Sequence, residues 1–101
     1  MAHVTSFTFQ ALPGRREAVL AHFDRWRGEM QAGATGFQMS VLVADNQNPE
    51  KFTSVVMFDS TENYQKNSDR PATGQWFQGL RADLVADPVW FDGTVVGETR
   101  A

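Results

Sequence analysis

The fold of this 101-residue chain is decided by the stretch Phe52-Thr53-Ser54-Val55-Val56-Met57-Phe58-Asp59-Ser60. Its first seven residues are mainly β-branched or aromatic, and such a run is typical of a strand. Ser60 or Thr61 then offers a helix N-cap, and Glu62 falls in the first turn, where a carboxylate suits the helix dipole. A strand that passes directly into a helix indicates a mixed α and β fold.

The flanking segments complete the order of elements. Strands are predicted at 3–9, 37–44 and 89–96, and the polar loop 45–51 joins the second and third strands as a hairpin. A helix over about 14–32 follows from the apolar stripe Val19, Leu20, Phe23, Trp26 and Met30. Pro71 separates two shorter helices, the second marked by Trp76, Phe77, Leu80 and Leu84 and ended by Pro88. The order β-α-β-β-α-α-β predicts an α+β, ferredoxin-like fold with an antiparallel sheet.

The composition is that of one globular domain over residues 1–101, with a polar tail at 97–101 that we expect to be mobile. Apolar residues make up 42% and charged residues 21% of the chain. A chain of this size buries about 65% of its surface on folding, enough for a modest core without disulfides. The 8 Phe, 3 Trp and 1 Tyr form a surplus of flat apolar surface that needs an explanation.

Several classes of function are excluded or disfavoured by the same composition. The net charge is −3 and the basic residues are scattered, which disfavours nucleic acid as a partner. The absence of cysteine excludes disulfides, thiolate catalysis and Cys-ligated metals. No long apolar run or signal peptide is visible, so we expect no membrane association and a cytoplasmic location. No cluster of metal ligands and no glycine-rich phosphate loop appears, so no cofactor is expected.

Both faces of the predicted sheet carry apolar side chains. In the third strand, Phe52, Val56 and Phe58 lie on the face opposite Val55 and Met57. In the second strand Leu42 lies opposite the set Phe37, Met39, Val41 and Val43, and in the last strand Trp90 is assigned to a second face, opposite Phe91. An uncovered face of this kind exceeds what soluble monomers usually expose. We therefore expect a homodimer in which two sheets pack together.

The sequence resembles a known family at two short motifs. These are the hairpin loop Asn48-Pro49-Glu50-Lys51-Phe52 and the junction Met57-Phe58-Asp59-Ser60, with Tyr64 standing six residues after Phe58. Together with the order of elements, they resemble the antibiotic biosynthesis monooxygenase group of the dimeric α/β barrel proteins over nearly the whole chain. The resemblance implies oxidation of aromatic polyketides or quinols by O₂ without a cofactor. Other proteins of this kind degrade haem, and some have no established activity.

The resemblance also implies which positions carry function. The tryptophan of the family's junction corresponds to Phe58, an asparagine four residues earlier to Ser54, and the family's tyrosine to Tyr64. An arginine about twenty residues after the junction corresponds to Gln78, with Arg81 one helical turn further on. In the haem-degrading proteins, the positions of the axial histidine and of a tryptophan correspond to Phe77 and Asn67, which disfavours haem as a ligand.

The candidate site residues follow from these positions and from residue chemistry. Tyr64 is the expected catalytic donor, with Ser54 or Asn63 as its polar neighbour. Phe58, Trp76 and Trp26 would provide flat walls for a small aromatic or hydrophobic molecule. Substrate contacts are also expected from the amide of Asn67, from His22 acting as a base, and from Arg81 at the mouth of the pocket.

Three functions stay open on the sequence alone. The first is a cofactor-independent monooxygenase or oxidoreductase acting on a polyketide- or quinol-like molecule. The second is a non-catalytic dimer of the same fold that binds a hydrophobic metabolite. The third is a structural dimer whose aromatic residues all belong to the core, which is the commonest fate of aromatic side chains at helical spacing.

Overall fold

The computed structural model describes all residues from 1 to 101. The strands are β1 (His3–Gln10), β2 (Phe37–Ala44), β3 (Lys51–Phe58) and β4 (Val89–Thr94). The helices are α1 (Arg16–Glu29), α2 (Thr61–Ser68) and α3 (Pro71–Arg81), and a short 3₁₀ turn over Gln31–Gly33 follows α1. The strands form one antiparallel sheet in the order β2-β3-β1-β4. The predicted α+β, ferredoxin-like fold and its order of elements are confirmed.

The predicted element ends shift for local reasons. The first helix is shorter than 14–32 because Gly14 has a φ of 79° and forms a turn before it, and the 3₁₀ turn replaces its last residues. Leu84 lies beyond α3, yet it is buried in the core. The last strand ends at Thr94 rather than at residue 96. None of these differences changes the topology.

One face of the sheet packs against the helices and holds the core. On β1 the buried residues are His3, Thr5, Phe7 and Phe9, alternating as a half-buried strand requires. The rings of Phe9 and Phe23 stack at 5.9 Å, and this contact joins β1 to α1. The core cluster is completed by Phe7, Ala11, Val19, Phe52, Leu80 and Leu84.

The junction between β3 and α2 is fixed by a cap and a glycine. The Ser60 hydroxyl accepts a hydrogen bond from the Asn63 backbone amide at 3.1 Å, as predicted for the N-cap. Gly36, at the start of β2, has a φ of 77° and accepts a hydrogen bond from the Asp59 amide at 2.8 Å. A Cβ atom on Gly36 would lie 2.3 Å from the Asp59 carboxylate, so glycine is required there.

Two aromatic residues lie on the other side of the sheet from the one predicted. An irregularity between Phe37 and Met39 turns Phe37 toward the helices, where its ring meets those of Trp26 at 5.1 Å and Phe58 at 5.7 Å. Trp90 pairs with Phe7 across β1 and β4, and their rings stack at 4.6 Å on the helix side. The prediction that placed Trp90 on the second face is wrong, and so is the prediction that Phe37 shares a face with Met39 and Val41.

The second face of the sheet is nevertheless apolar and uncovered by helices. Val41 is 43% exposed and Phe91 is 65% exposed, large values for such side chains. We call this surface the open sheet face; its apolar members are Val4, Met39, Val41, Val43, Val55, Met57, Val89 and Phe91. None of the helices has the length and apolar character needed to cross a membrane.

Candidate functional site

A cavity lies between the helix side of the sheet and the three helices. About 600 Å³ of space unoccupied by atoms lies within it and in the open solvent at its mouth, and 16 residues line it. Half of these are aromatic: Phe7, Phe23, Trp26, Phe58, Tyr64, Trp76, Phe77 and Trp90. Flat aromatic surface therefore makes up much of its wall, and we call this space the site cavity.

Six of the residues predicted for a site line the site cavity together. They come from β3, α1, α2 and α3, so the fold gathers positions spread over about fifty residues of sequence. They are Trp26, Ser54, Phe58, Tyr64, Asn67 and Trp76.

Tyr64 is held at the wall of the site cavity by the first turn of α2. Its backbone amide donates to the Ser60 carbonyl at 3.1 Å, which continues the capped turn. Its ring meets the Phe58 ring edge-on at 5.6 Å and stacks on the His3 imidazole at 4.3 Å. The ring is therefore clamped on two sides, and its hydroxyl has no hydrogen-bond partner within the protein.

The Ser54 hydroxyl also has no partner within the protein, although the residue is only 2% exposed. The one completely buried side-chain oxygen or nitrogen without a partner is Oε2 of Glu50. The Ser54 hydroxyl consequently keeps access to the site cavity, where a bound molecule can satisfy it.

Asn67 belongs to a small hydrogen-bonded group between α2 and α3. Its side-chain oxygen accepts from the Arg70 guanidinium at 3.1 Å, and its carbonyl accepts from the Thr73 hydroxyl at 2.7 Å. The side-chain oxygen is thus engaged, and the amide N–H groups remain to donate to a ligand.

Two predicted site residues face away from the site cavity. The Asn63 amide donates to the Asp59 carboxylate at 2.8 Å, within the junction that leads into α2. Arg81, in the last turn of α3, donates to the Asp87 carboxylate at 2.6 Å and lies in a separate shallow depression. Neither side chain lines the cavity, so the geometry does not support the substrate contacts expected of them.

His22 is buried between α1 and α3 rather than in the site cavity. Its Nε2 lies 2.6 Å from the Trp76 carbonyl, and its Nδ1 lies 2.7 Å from the Arg25 guanidinium. Because a carbonyl accepts and a guanidinium donates, the imidazole is assigned as neutral with its proton on Nε2. In return, the Trp76 indole N–H donates to the His22 carbonyl at 3.0 Å. His22 holds Trp76 as a wall of the cavity, and its expected role as a base facing the pocket is not supported.

The sequence interpretation missed residues that β1 and β4 bring to the site cavity. Thr5 and Trp90 line it, and Thr5 is hydrogen-bonded to His3 and Asp92. The signal available was alternation: His3 and Thr5 are polar residues on the same face of β1 as Phe7 and Phe9. Polar side chains on a buried strand face need hydrogen-bond partners, so such residues in a sequence are candidates for a polar cluster or a binding site.

The donor atoms of the cavity do not fit haem. At the position that resembles the axial ligand stands Phe77, whose ring packs against Phe7 at 5.6 Å and Trp90 at 5.2 Å. A phenyl ring has no atom that binds iron. No group of three or more His, Asp or Glu side chains is arranged to hold a metal ion.

Comparison with solved structures finds the same fold in several proteins. One from Chloroflexus aurantiacus, provisionally named an antibiotic biosynthesis monooxygenase, is 19% identical with a TM-score of 0.78, over 99% of this chain and 98% of that one. A provisionally named monooxygenase of the same kind from Bordetella bronchiseptica is 17% identical with a TM-score of 0.81, over 94% and 97%. A third, from Caulobacter crescentus, is 10% identical with a TM-score of 0.84, over 95% and 91%.

These likenesses confirm, at the level of the fold, the resemblance to antibiotic biosynthesis monooxygenases. No protein-family model matches the sequence, and no curated protein matches it.

Proposed function

We propose that this protein is a cofactor-independent monooxygenase that oxidises a planar aromatic, polyketide- or quinol-like molecule in the site cavity. The observation that carries the proposal is the combination of flat aromatic walls with unpaired polar groups from Tyr64, Ser54 and Asn67. A largely apolar pocket with a few converging polar groups is the usual form of a small-molecule site.

The chemistry asked of the protein is positioning and stabilisation of an anion. Loss of one proton turns such a substrate into an electron-rich anion that can pass electrons to O₂. A ring CH₂ group and O₂ then give a ring carbonyl and water, so the substrate supplies all the electrons and no further reductant is needed. Donors such as the Tyr64 hydroxyl, the Ser54 hydroxyl and the Asn67 amide would stabilise the anion in a water-poor cavity.

A second candidate function is non-catalytic binding of a hydrophobic metabolite by the same cavity. Two observations favour it: Phe58 offers no N–H at the position where the related fold has a tryptophan, and Ser54 is shorter than asparagine. The same walls would then bind an aromatic molecule without stabilising its anion enough for reaction.

Oxygen uptake separates these functions. The protein is mixed with hydroquinones, hydroxynaphthalenes and anthrones in an oxygen-electrode cell, and binding is followed in parallel by quenching of tryptophan fluorescence. We expect at least one anthrone or quinol to raise uptake about a hundredfold over the protein-free rate, with equimolar O₂ and carbonyl product. Binding without oxygen uptake would instead favour the metabolite-binding function. If the protein neither binds these molecules nor raises oxygen uptake, both functions are contradicted.

We further propose that the chain is a homodimer joined through the open sheet face, since an apolar surface of that extent is normally covered. Wild-type protein at micromolar concentration is expected to sediment at twice 11.3 kDa. Val41→Lys should raise the dissociation constant at least about a hundredfold, because it would bury an unpaired charge.

Val96→Lys is the matched control for this prediction, because Val96 is 89% exposed and lies outside the sheet. It should sediment as the wild type does. A wild-type mass of 11.3 kDa under these conditions would refute the dimer.

A further inference from the structure

A buried polar cluster borders the site cavity between β1 and β4, and the function proposed above leaves it unused. It consists of His3 and Thr5 on β1 and of Asp92, which pairs with Thr5 across the two strands. His3 is 5% exposed and Thr5 is 1% exposed, whereas the Asp92 side chain is 53% exposed. Because Thr5 also lines the cavity, the cluster connects the cavity to solvent.

The hydrogen bonds of the cluster fix the role of the Thr5 hydroxyl. It donates to the Asp92 carboxylate at 2.5 Å, which commits its single proton. His3 Nε2 lies 2.8 Å from the Thr5 hydroxyl oxygen. Because the only proton of that hydroxyl goes to Asp92, Nε2 must carry a proton and donate it to Thr5. His3 Nδ1 lies 3.1 Å from the Thr61 hydroxyl, so both ring nitrogens have a hydrogen-bond partner. A hydroxyl oxygen has two lone pairs, so one lone pair of Thr5 is left over.

We propose that Thr5 and Asp92 form a proton relay that removes the substrate proton, with His3 as the residue that positions Thr5. The substrate class rests on the function proposed above. The free lone pair of Thr5, on the wall of the cavity, accepts the substrate proton. Thr5 passes its own proton to Asp92, and the half-exposed carboxylic acid then loses that proton to solvent.

The step balances in atoms and charge. The C–H or O–H bond of the substrate breaks, a new O–H bond forms on Thr5, and the former Thr5 proton forms an O–H bond on Asp92. The substrate becomes an anion and Asp92 becomes neutral. The anion is the species that the proposed reaction with O₂ requires.

The surroundings of His3 suit a positioning role. The ionisable side chains in contact with it are Asp92, 3.4 Å from Nε2, and Tyr64, whose ring stacks on the imidazole at 4.3 Å. Its neighbours on the adjacent strands, Phe58 on β3 and Thr94 on β4, are uncharged. With both ring nitrogens bonded and one face covered, the imidazole is held in place, and the Thr5 oxygen with it.

Deuterium exchange without oxygen tests the relay separately from the oxidation. Anthrone, whose ring CH₂ group loses a proton to give the anion, is incubated under nitrogen in D₂O with the protein, and exchange is followed by NMR. We expect the wild type to accelerate exchange about a hundredfold over buffer. Thr5→Val and Asp92→Asn should each lose most of this acceleration, and Thr5→Ser should keep it.

Thr94→Val is the matched control, since Thr94 is exposed, stands opposite His3 on β4 and makes no hydrogen bond with the cluster. His3→Gln keeps an N–H donor and should retain more exchange than His3→Leu. Circular dichroism and thermal unfolding of each variant separate loss of the relay from loss of the fold.

The outcomes distinguish this proposal from the function on which it rests. Exchange that depends on Thr5 and Asp92, without oxygen uptake in air, supports the relay and contradicts the monooxygenase. The relay alone is overturned if the wild type takes up oxygen in air and deuterium exchange is equally fast in wild type, Thr5→Val and Thr94→Val. Absence of exchange in the wild type also overturns the relay.

Discussion

Tyr64→Phe is expected to lower kcat/KM for the oxidised substrate by about a hundredfold, the usual cost of removing one donor to a developing anion. The phenyl ring keeps the contacts with His3 and Phe58, so only the hydroxyl is lost. Because the anion forms after binding, kcat should fall while KM changes little. Steady-state oxygen uptake over a range of substrate concentrations measures both constants.

The same variant separates a catalytic from a packing role. Tyr64 is half-buried and its hydroxyl has no partner in the protein, so the free energy of unfolding should change by less than about 0.5 kcal/mol. Thr94→Val, which removes a hydroxyl outside the site cavity, should leave both constants unchanged. If kcat of Tyr64→Phe equals that of the wild type, the catalytic role assigned to Tyr64 is wrong.

Phe9→Ala is expected to lower the free energy of unfolding by about 4 kcal/mol, within the range for buried phenylalanine. Phe9 is 4% exposed, and its ring stacks on Phe7, Phe23 and Phe52 at 5.6 to 5.9 Å. Its removal would leave a void between β1, β3 and α1. A domain of this size has a total stability of about 5–15 kcal/mol, so urea denaturation should show a large shift of the midpoint.

Phe91→Ala is the matched control, because Phe91 is 65% exposed on the open sheet face. If that face joins two copies, the loss of unfolding free energy caused by Phe91→Ala, relative to wild type, should grow with protein concentration. The corresponding loss caused by Phe9→Ala should not depend on protein concentration. If both substitutions lower the free energy of unfolding equally at every protein concentration, the division between core and open sheet face is wrong.

Much of the fold could be predicted from local patterns. The alternation of β1, the polar loop before β3 and the Ser60 cap each depend on neighbouring residues, and each is present as predicted. The exceptions have long-range causes. The irregularity after Phe37 reverses the side of that one residue, and the face of Trp90 is set by its pairing with β1 rather than by its own strand.

Tyr64 and Ser54 were predicted from their positions in the family resemblance, and both line the site cavity because α2 and β3 place them there. The candidate site was missed where partners come from distant segments. Thr5 and Asp92 are 87 residues apart in sequence, and no local spacing relates them. His22 was predicted to act as a base in the pocket, but its Nε2 meets the Trp76 carbonyl on α3 and its Nδ1 meets Arg25 one turn further along α1.

The antiparallel register of β1 and β4 also determines which changes of sequence would abolish the site. A single-residue insertion within β4 would turn every following side chain to the opposite face. If it preceded Trp90, Asp92 would move to the apolar outer surface, and Phe91 would take a place beside Thr5. One inserted residue would thus remove a cavity wall and the proton exit together, while the hydrogen-bonded ladder re-formed around it.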